Sequence, residues 1–148
     1  MADLLLVHDD RRIVDLVAFF LRQRGHVVRV ATSFVAARQA IAARAPDLML
    51  SDVDLGLERG EEELLRLAAD GVLAPTLIVS GYLDADLEQR LLAIDGVLGT
   101  LRKPFGLSDL EARINDALAS TAAARASHLA VPEDDDGWIE VRSAEAGS

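Results

Sequence analysis

The chain has no cysteine, which excludes a disulfide framework, thiol catalysis and every zinc site that needs thiolates, and suits a reducing compartment. Its three histidines, His8, His26 and His128, are too scattered to suggest a structural metal site. Long apolar runs are also missing. The opening Met1-Ala2-Asp3-Leu4 has no basic region, and the run from Leu4 to Val7 is too short for a signal peptide or a membrane span. Positive charge is scarce: 15 Lys and Arg stand against 25 Asp and Glu, a formal net charge of −10. Such a surface repels phosphate backbones and anionic lipids, so neither nucleic acid nor membrane is an expected partner. The expectation is a soluble, cytoplasmic protein whose partners are proteins.

With 148 residues, 51% of them hydrophobic, the chain has enough apolar surface for one core and little room for a second folded domain. Short aliphatic runs alternate with longer stretches at helical spacing, the mark of βα units around a parallel sheet. The expected strands are Leu4 to Val7, His26 to Ala31, Asp47 to Ser51, Thr76 to Val79 and Val97 to Leu101, nearly all apolar, as strands covered on both faces are.

Ile13, Leu16, Val17, Phe20 and Leu21 form a helical stripe that stops at Gly25. Phe34, Ala37 and Ile41 mark a second helix ending before Pro46, and a third opens on Glu61, Glu62 and Glu63, acids suited to the positive end of a helix dipole, with Leu64, Leu67 and Ala68 as its apolar face. Leu83, Leu87, Leu91 and Ile94 suggest a fourth, and Ser108-Asp109-Leu110-Glu111 reads as a capping box opening the fifth. The sum is (βα)5, which right-handed crossovers turn into a doubly wound, five-stranded parallel sheet. This domain is expected over residues 1–120. Residues 121–148 read as a disordered acidic tail: the last 22 positions, 127–148, hold six acids and one arginine, about half of the net charge.

In a doubly wound sheet, ligands sit at the carboxyl ends of the strands. The polar residues there are His8-Asp9-Asp10, Asp52-Val53-Asp54, Ser80-Gly81 and Lys103-Pro104. Two carboxylates from different loops make an oxygen site for a hard divalent cation such as Mg²⁺, which accepts a phosphate oxygen as a further ligand. A hydroxyl and a lysine beside it can hold the other phosphate oxygens. This is a kit for phosphoryl transfer, in which positioning and charge neutralisation do most of the work.

From Asp3 to about Ala119 the chain resembles the receiver domains of two-component response regulators. The segments that carry the resemblance are Leu4-Leu5-Leu6-Val7-His8-Asp9-Asp10, Pro46-Asp47-Leu48-Met49-Leu50-Ser51-Asp52, Pro75-Thr76-Leu77-Ile78-Val79-Ser80-Gly81 and Leu101-Arg102-Lys103-Pro104-Phe105. The resemblance implies a flavodoxin-like receiver fold with Asp52 as phosphoacceptor and Mg²⁺ held by Asp9, Asp52 and the backbone carbonyl of Asp54. It makes Ser80 the hydroxyl that bonds the phosphoryl group and Lys103 the phosphate-binding lysine before a cis peptide to Pro104. Gly60 matches the glycine eight residues after the acceptor. The implied partners are a histidine kinase or phosphotransfer protein and a downstream protein. The face of fourth helix, fifth strand and fifth helix would serve for docking or a homodimer, through Leu87, Arg90, Leu91 and Arg113. No effector domain is expected, and no reaction on a separate substrate.

Three positions depart from the family pattern. His8 stands where the first acid of the acidic pair is usual, Thr100 where an aromatic switch residue is frequent, and Gly56 where a proline is usual. His8 and Thr100 motivate an alternative, a phosphorylation-independent pseudo-receiver that keeps only the fold and its surface. A metal-dependent phosphohydrolase would need a second acid or base beside Asp52, and none is evident. Asp10 reads as a helix cap, His8 as a packed polar residue or a metal ligand, Tyr82 as a surface aromatic or a cover for the crevice, and Trp138 with Ile139 as solvated tail or a short binding motif.

Overall fold

In the computed structural model, which describes residues 2–55, 58–81 and 83–130, strands and helices alternate from the start. In chain order they are β1 (Asp3–Val7), α1 (Arg11–Gln23), β2 (Val27–Ala31), α2 (Phe34–Ala43), β3 (Leu48–Ser51), β4 (Asp54–Leu55), β5 (Glu58–Arg59), α3 (Gly60–Ala69), β6 (Thr76–Ser80), α4 (Ala85–Leu92), β7 (Val97–Arg102) and α5 (Leu107–Ala130). The chain divides into two units, Met1–Ala117 and Leu118–Ser148, and the sheet lies in the first.

Five strands form one parallel sheet in the order β2-β1-β3-β6-β7, the doubly wound arrangement expected from the sequence. Alternate side chains take opposite faces of a strand. Leu5, Val7, Met49 and Ile78 accordingly pack in one buried cluster with Phe34, Ala37 and Ile41 of α2, Leu64 and Leu67 of α3, and Leu91 of α4. Leu6, Leu50 and Val79 line the other side with Ile13 and Val17 of α1 and with Phe105 and Leu110. With both faces covered, the central strands β1, β3 and β6 read as nearly unbroken apolar runs, whereas the edge strands β2 and β7 are partly exposed and carry Arg29 and Thr100.

The sheet order reverses between β1 and β3, the place where this architecture opens a crevice. Register sets what meets there. Val7 lies opposite Ser51, and Ser80 opposite Arg102, so residues 8 and 52 emerge side by side, as do Ser80 and Lys103.

Several expectations need correction. The buried face of α1 is Val14, Val17, Ala18 and Leu21, whereas Leu16, in the expected stripe, is 57% exposed. Both stripes satisfy helical spacing and share Val17 and Leu21; periodicity could not separate them. The fifth helix starts at Leu107 with Leu110 N–H bonded to Gly106 O at 3.1 Å, so Ser108 belongs to the first turn rather than the cap. His26 and Asp47 fall just outside β2 and β3, and Leu83 and Ile94 flank α4 as buried residues. The antiparallel pair β4–β5 had no signal in the pattern.

The expected tail is helical from its start through Ala130, a run whose alanines favour helix. Thr121 Oγ1 there donates to Leu118 O at 3.0 Å. The acidic stretch after Ala130, with Trp138 and Ile139, lies outside the described residues, as do Gly56 and Tyr82.

Candidate functional site

Asp52 is the first residue beyond β3 and is 5% exposed. Its backbone is fixed from two sides: its N–H donates to Val7 O at 3.0 Å, and the Ser51 hydroxyl donates to its carbonyl at 2.8 Å. The next residue, Val53, accepts the Gly60 N–H at 3.0 Å. A Cβ on Gly60 would come 2.4 Å from the Cα and the carbonyl oxygen of Val53, so only glycine lets α3 begin this close to the loop.

Lys103, one residue past β7, crosses the crevice and donates from Nζ to Asp52 Oδ2 at 2.9 Å. Its own N–H donates to Ser80 O at 2.9 Å, which locks the ends of β6 and β7 together beside the carboxylate. Ser80 closes β6 and is 2% exposed, and the bond from Lys103 to Pro104 is cis, as the resemblance implied.

His8 continues β1 into the same place. It is 4% exposed, with Nε2 at 3.3 Å from Asp52 Oδ2 and 2.7 Å from Lys103 Nζ. On the other side of the ring, Asp10 N–H donates to Nδ1 at 3.0 Å. Two donors therefore converge on one imidazole. A neutral ring offers a single acceptor nitrogen and an imidazolium none, so the surroundings oppose protonation. Burial and then the Lys103 charge push the His8 pKa down, against the pull of Asp52, Asp9 and Asp10.

Asp9 is exposed, its Oδ1 at 3.7 Å from His8 Nδ1. Asp10 is the cap of α1, accepting Arg12 N–H at 3.0 Å, as the sequence suggested. One ring nitrogen of His8 and one carboxylate oxygen each from Asp9 and Asp52 lie within 4.8 Å of one another. That span approaches the separation of two ligands each about 2.0–2.4 Å from a common ion. The donors thus fit a divalent cation. Asp54 lies in β4, its backbone paired with Arg59.

The structure brings together Asp52, Lys103, Ser80 and Asp9, four residues from four strand ends that sequence reasoning selected. It also adds contacts that reasoning missed. Thr100 Oγ1 donates to Glu88 of α4 at 2.5 Å; Arg102 lies 3.6 Å from the same carboxylate and bonds the Leu83 carbonyl just after the Ser80 loop. The residue at the usual aromatic position is therefore part of a polar tie between β7 and α4. On the expected docking face Leu91 is fully buried and cannot contribute, whereas Leu92 and Leu98 are exposed. The apolar stripe of Leu83, Leu87, Leu91 and Ile94 that marked this helix already set Leu91 on its core side.

A five-stranded doubly wound sheet with acids and a lysine gathered at its switch point defines a flavodoxin-like α/β domain with a strand-end crevice. The model of the response regulator receiver domain matches residues 4–115. Response regulator protein PmrA of Pseudomonas aeruginosa is 32% identical over 75% of this chain and 50% of its own length. Transcriptional regulatory protein TrcR of Mycobacterium tuberculosis is 30% identical over 88% of the chain and 49% of its own. Among solved structures, NtrX of Brucella abortus superposes with a TM-score of 0.79 at 29% identity, covering 86% of this chain and 29% of that one. Chemotaxis protein CheY4 of Vibrio cholerae, at 24% identity and a TM-score of 0.72, shares the fold over 79% of this chain and 98% of its own. The chain belongs to the response regulator receiver domain family of two-component systems. It spans about half or less of the curated relatives cited.

Proposed function

We propose that the chain accepts a phosphoryl group on Asp52 from a histidine kinase or phosphotransfer protein in the cytoplasm and passes the signal on through protein contacts. The observation that carries this reading is a buried carboxylate at the end of β3 held at 2.9 Å by Lys103 Nζ. A carboxylate nucleophile has no proton to lose, so no general base is needed. An Asp52 oxygen bonds to phosphorus as the donor's bond to phosphorus breaks, and the donor leaves with that electron pair.

Lys103 then has a phosphoryl oxygen within reach of the ammonium that already lies on Asp52, and Ser80 presents its hydroxyl from the neighbouring strand end. Asp9, Asp52 and the Asp54 carbonyl would hold the cation. Mg²⁺, an ion that suits these oxygens, would supply positive charge to offset the negative charge of the carboxylates and the phosphoryl group. The protein in this reading assists its own phosphorylation and dephosphorylation and has no separate substrate. An apolar groove lined by Ile13, Leu16, Val17, Pro104, Phe105 and Leu107 adjoins Lys103 and offers a protein donor a place to dock. Among the described residues no helix is long and apolar enough to cross a membrane.

Incubation with Mg²⁺ and a small acyl-phosphate donor, followed by intact mass, should show one added phosphoryl group on the natural chain and none on Asp52→Asn. Absence of the adduct with every divalent cation tried would rule the reading out.

A further inference from the structure

We propose that the crevice binds a first-row transition dication of the Mn²⁺ to Zn²⁺ series in preference to Mg²⁺, with a ring nitrogen of His8 as a ligand beside Asp9 and Asp52. This deepens the phosphoacceptor reading of the same site. It concerns which ion the site selects.

The donor set is the ground for it. One His8 nitrogen lies within 4.8 Å of carboxylate oxygens of both Asp9 and Asp52. The ring is 4% exposed and fixed at the end of β1, so it points into the crevice at no further cost in ordering. Nδ1 lies 3.7 Å from Asp9 Oδ1 and Nε2 lies 3.3 Å from Asp52 Oδ2, so the ring already faces both carboxylates, and an ion on either nitrogen takes the place of the donor now on it, Asp10 N–H at Nδ1 or Lys103 Nζ at Nε2.

Replacing a carboxylate by an imidazole has two consequences for a cation. One negative charge is lost, which weakens a hard ion such as Mg²⁺ that relies on oxygen and charge. A nitrogen donor is gained, which favours ions further along the series from Mn²⁺ to Zn²⁺. Both act in the same direction on selectivity. Lys103 shares the ring with the incoming ion, but it is a long, flexible side chain that already holds Asp52 Oδ2 at 2.9 Å and can stay there when the ring is taken.

The test uses the full chain without any phosphodonor, so a failure to phosphorylate Asp52 would leave its result intact. Affinities for Co²⁺ and for Mg²⁺ are measured by titration and competition on the natural chain and on His8→Asp. The ratio of the Mg²⁺ to the Co²⁺ dissociation constant should be at least tenfold larger in the natural chain. In its Co²⁺-loaded form the ring resonances of His8 should show large hyperfine shifts, with His26, at the amino-terminal end of β2, as the unshifted control. A smaller difference in ratio, unshifted His8 resonances, or no Co²⁺ bound in the crevice each overturns the proposal. Should His8→Asp not fold, the resonances of the natural chain decide alone.

Discussion

Lys103 closes an ion pair with Asp52 at 2.9 Å between loops that are 51 residues apart in sequence. The Asp52 side chain is 6% exposed and that of Lys103 22%, so the pair lies between the buried limit, where removing one partner costs several kcal/mol, and the surface limit, where it costs little. Lys103→Ala should lower the unfolding free energy by about 1–2 kcal/mol at neutral pH. It should also cut the yield of Asp52 phosphorylation by more than the stability loss explains. Urea denaturation and intact mass on the same variant separate the two effects.

The approach of Gly60 to Val53 gives a paired test. A Cβ at Gly60 would meet backbone atoms at 2.4 Å, which cannot swing aside, so Gly60→Ala should cost about 1–3 kcal/mol. At Gly81 the nearest atom to such a Cβ is Lys103 Cβ at 3.9 Å, ordinary contact, and Gly81→Ala should stay within about 0.5 kcal/mol of the natural chain. Equal denaturation midpoints for the two variants would show that α3 does not depend on this contact.

Gly60 also shows what a sequence can and cannot disclose. Family spacing selected it, but the reason for a glycine there, contact with the Val53 backbone, exists only once β3 and α3 are placed. The strands were legible because a sheet covered on both faces demands continuous apolar runs, and the crevice because ligand residues in this architecture follow strand ends. Hidden were features decided by tertiary packing. Val14 and Ala18, rather than Leu16, joined Val17 and Leu21 on the buried side of α1 because the sheet fixed the helix's rotation. His8 was legible as a departure, yet its position between Asp52 and Lys103 follows from the pairing of β1 with β3 and from Lys103 reaching across the crevice.

The hydrogen bond from Thr100 to Glu88 is another product of packing, joining β7 to α4 where a large ring is frequent in the family. A partly buried hydrogen bond to a carboxylate contributes about 1.5 kcal/mol. A double-mutant cycle with Thr100→Val and Glu88→Ala should therefore give a coupling energy of about 0.5–1.5 kcal/mol in urea denaturation. A coupling indistinguishable from zero would mean that the Thr100–Glu88 hydrogen bond adds nothing to the hold of α4 on β7.

Stability should also depend on pH through His26, whose Nδ1 is buried with no hydrogen-bond partner. Burial lowers its pKa in the folded protein, with Glu111 pulling weakly the other way. The unfolded chain protonates this ring near its ordinary value of about 6.5, whereas the folded chain resists until a lower pH. Between those two values the unfolded state holds more protons, so stability rises with pH there. The contribution is fully present above about pH 7 and is lost as pH falls through 6.5 towards the folded value. His8, shifted down by burial and Lys103, adds a slope of the same sign. Unfolding free energies of the natural chain should thus fall between pH 7.5 and 5.5, and His26→Gln should fall less without becoming flat. Parallel curves for the two proteins would mean that burial does not hold His26 neutral.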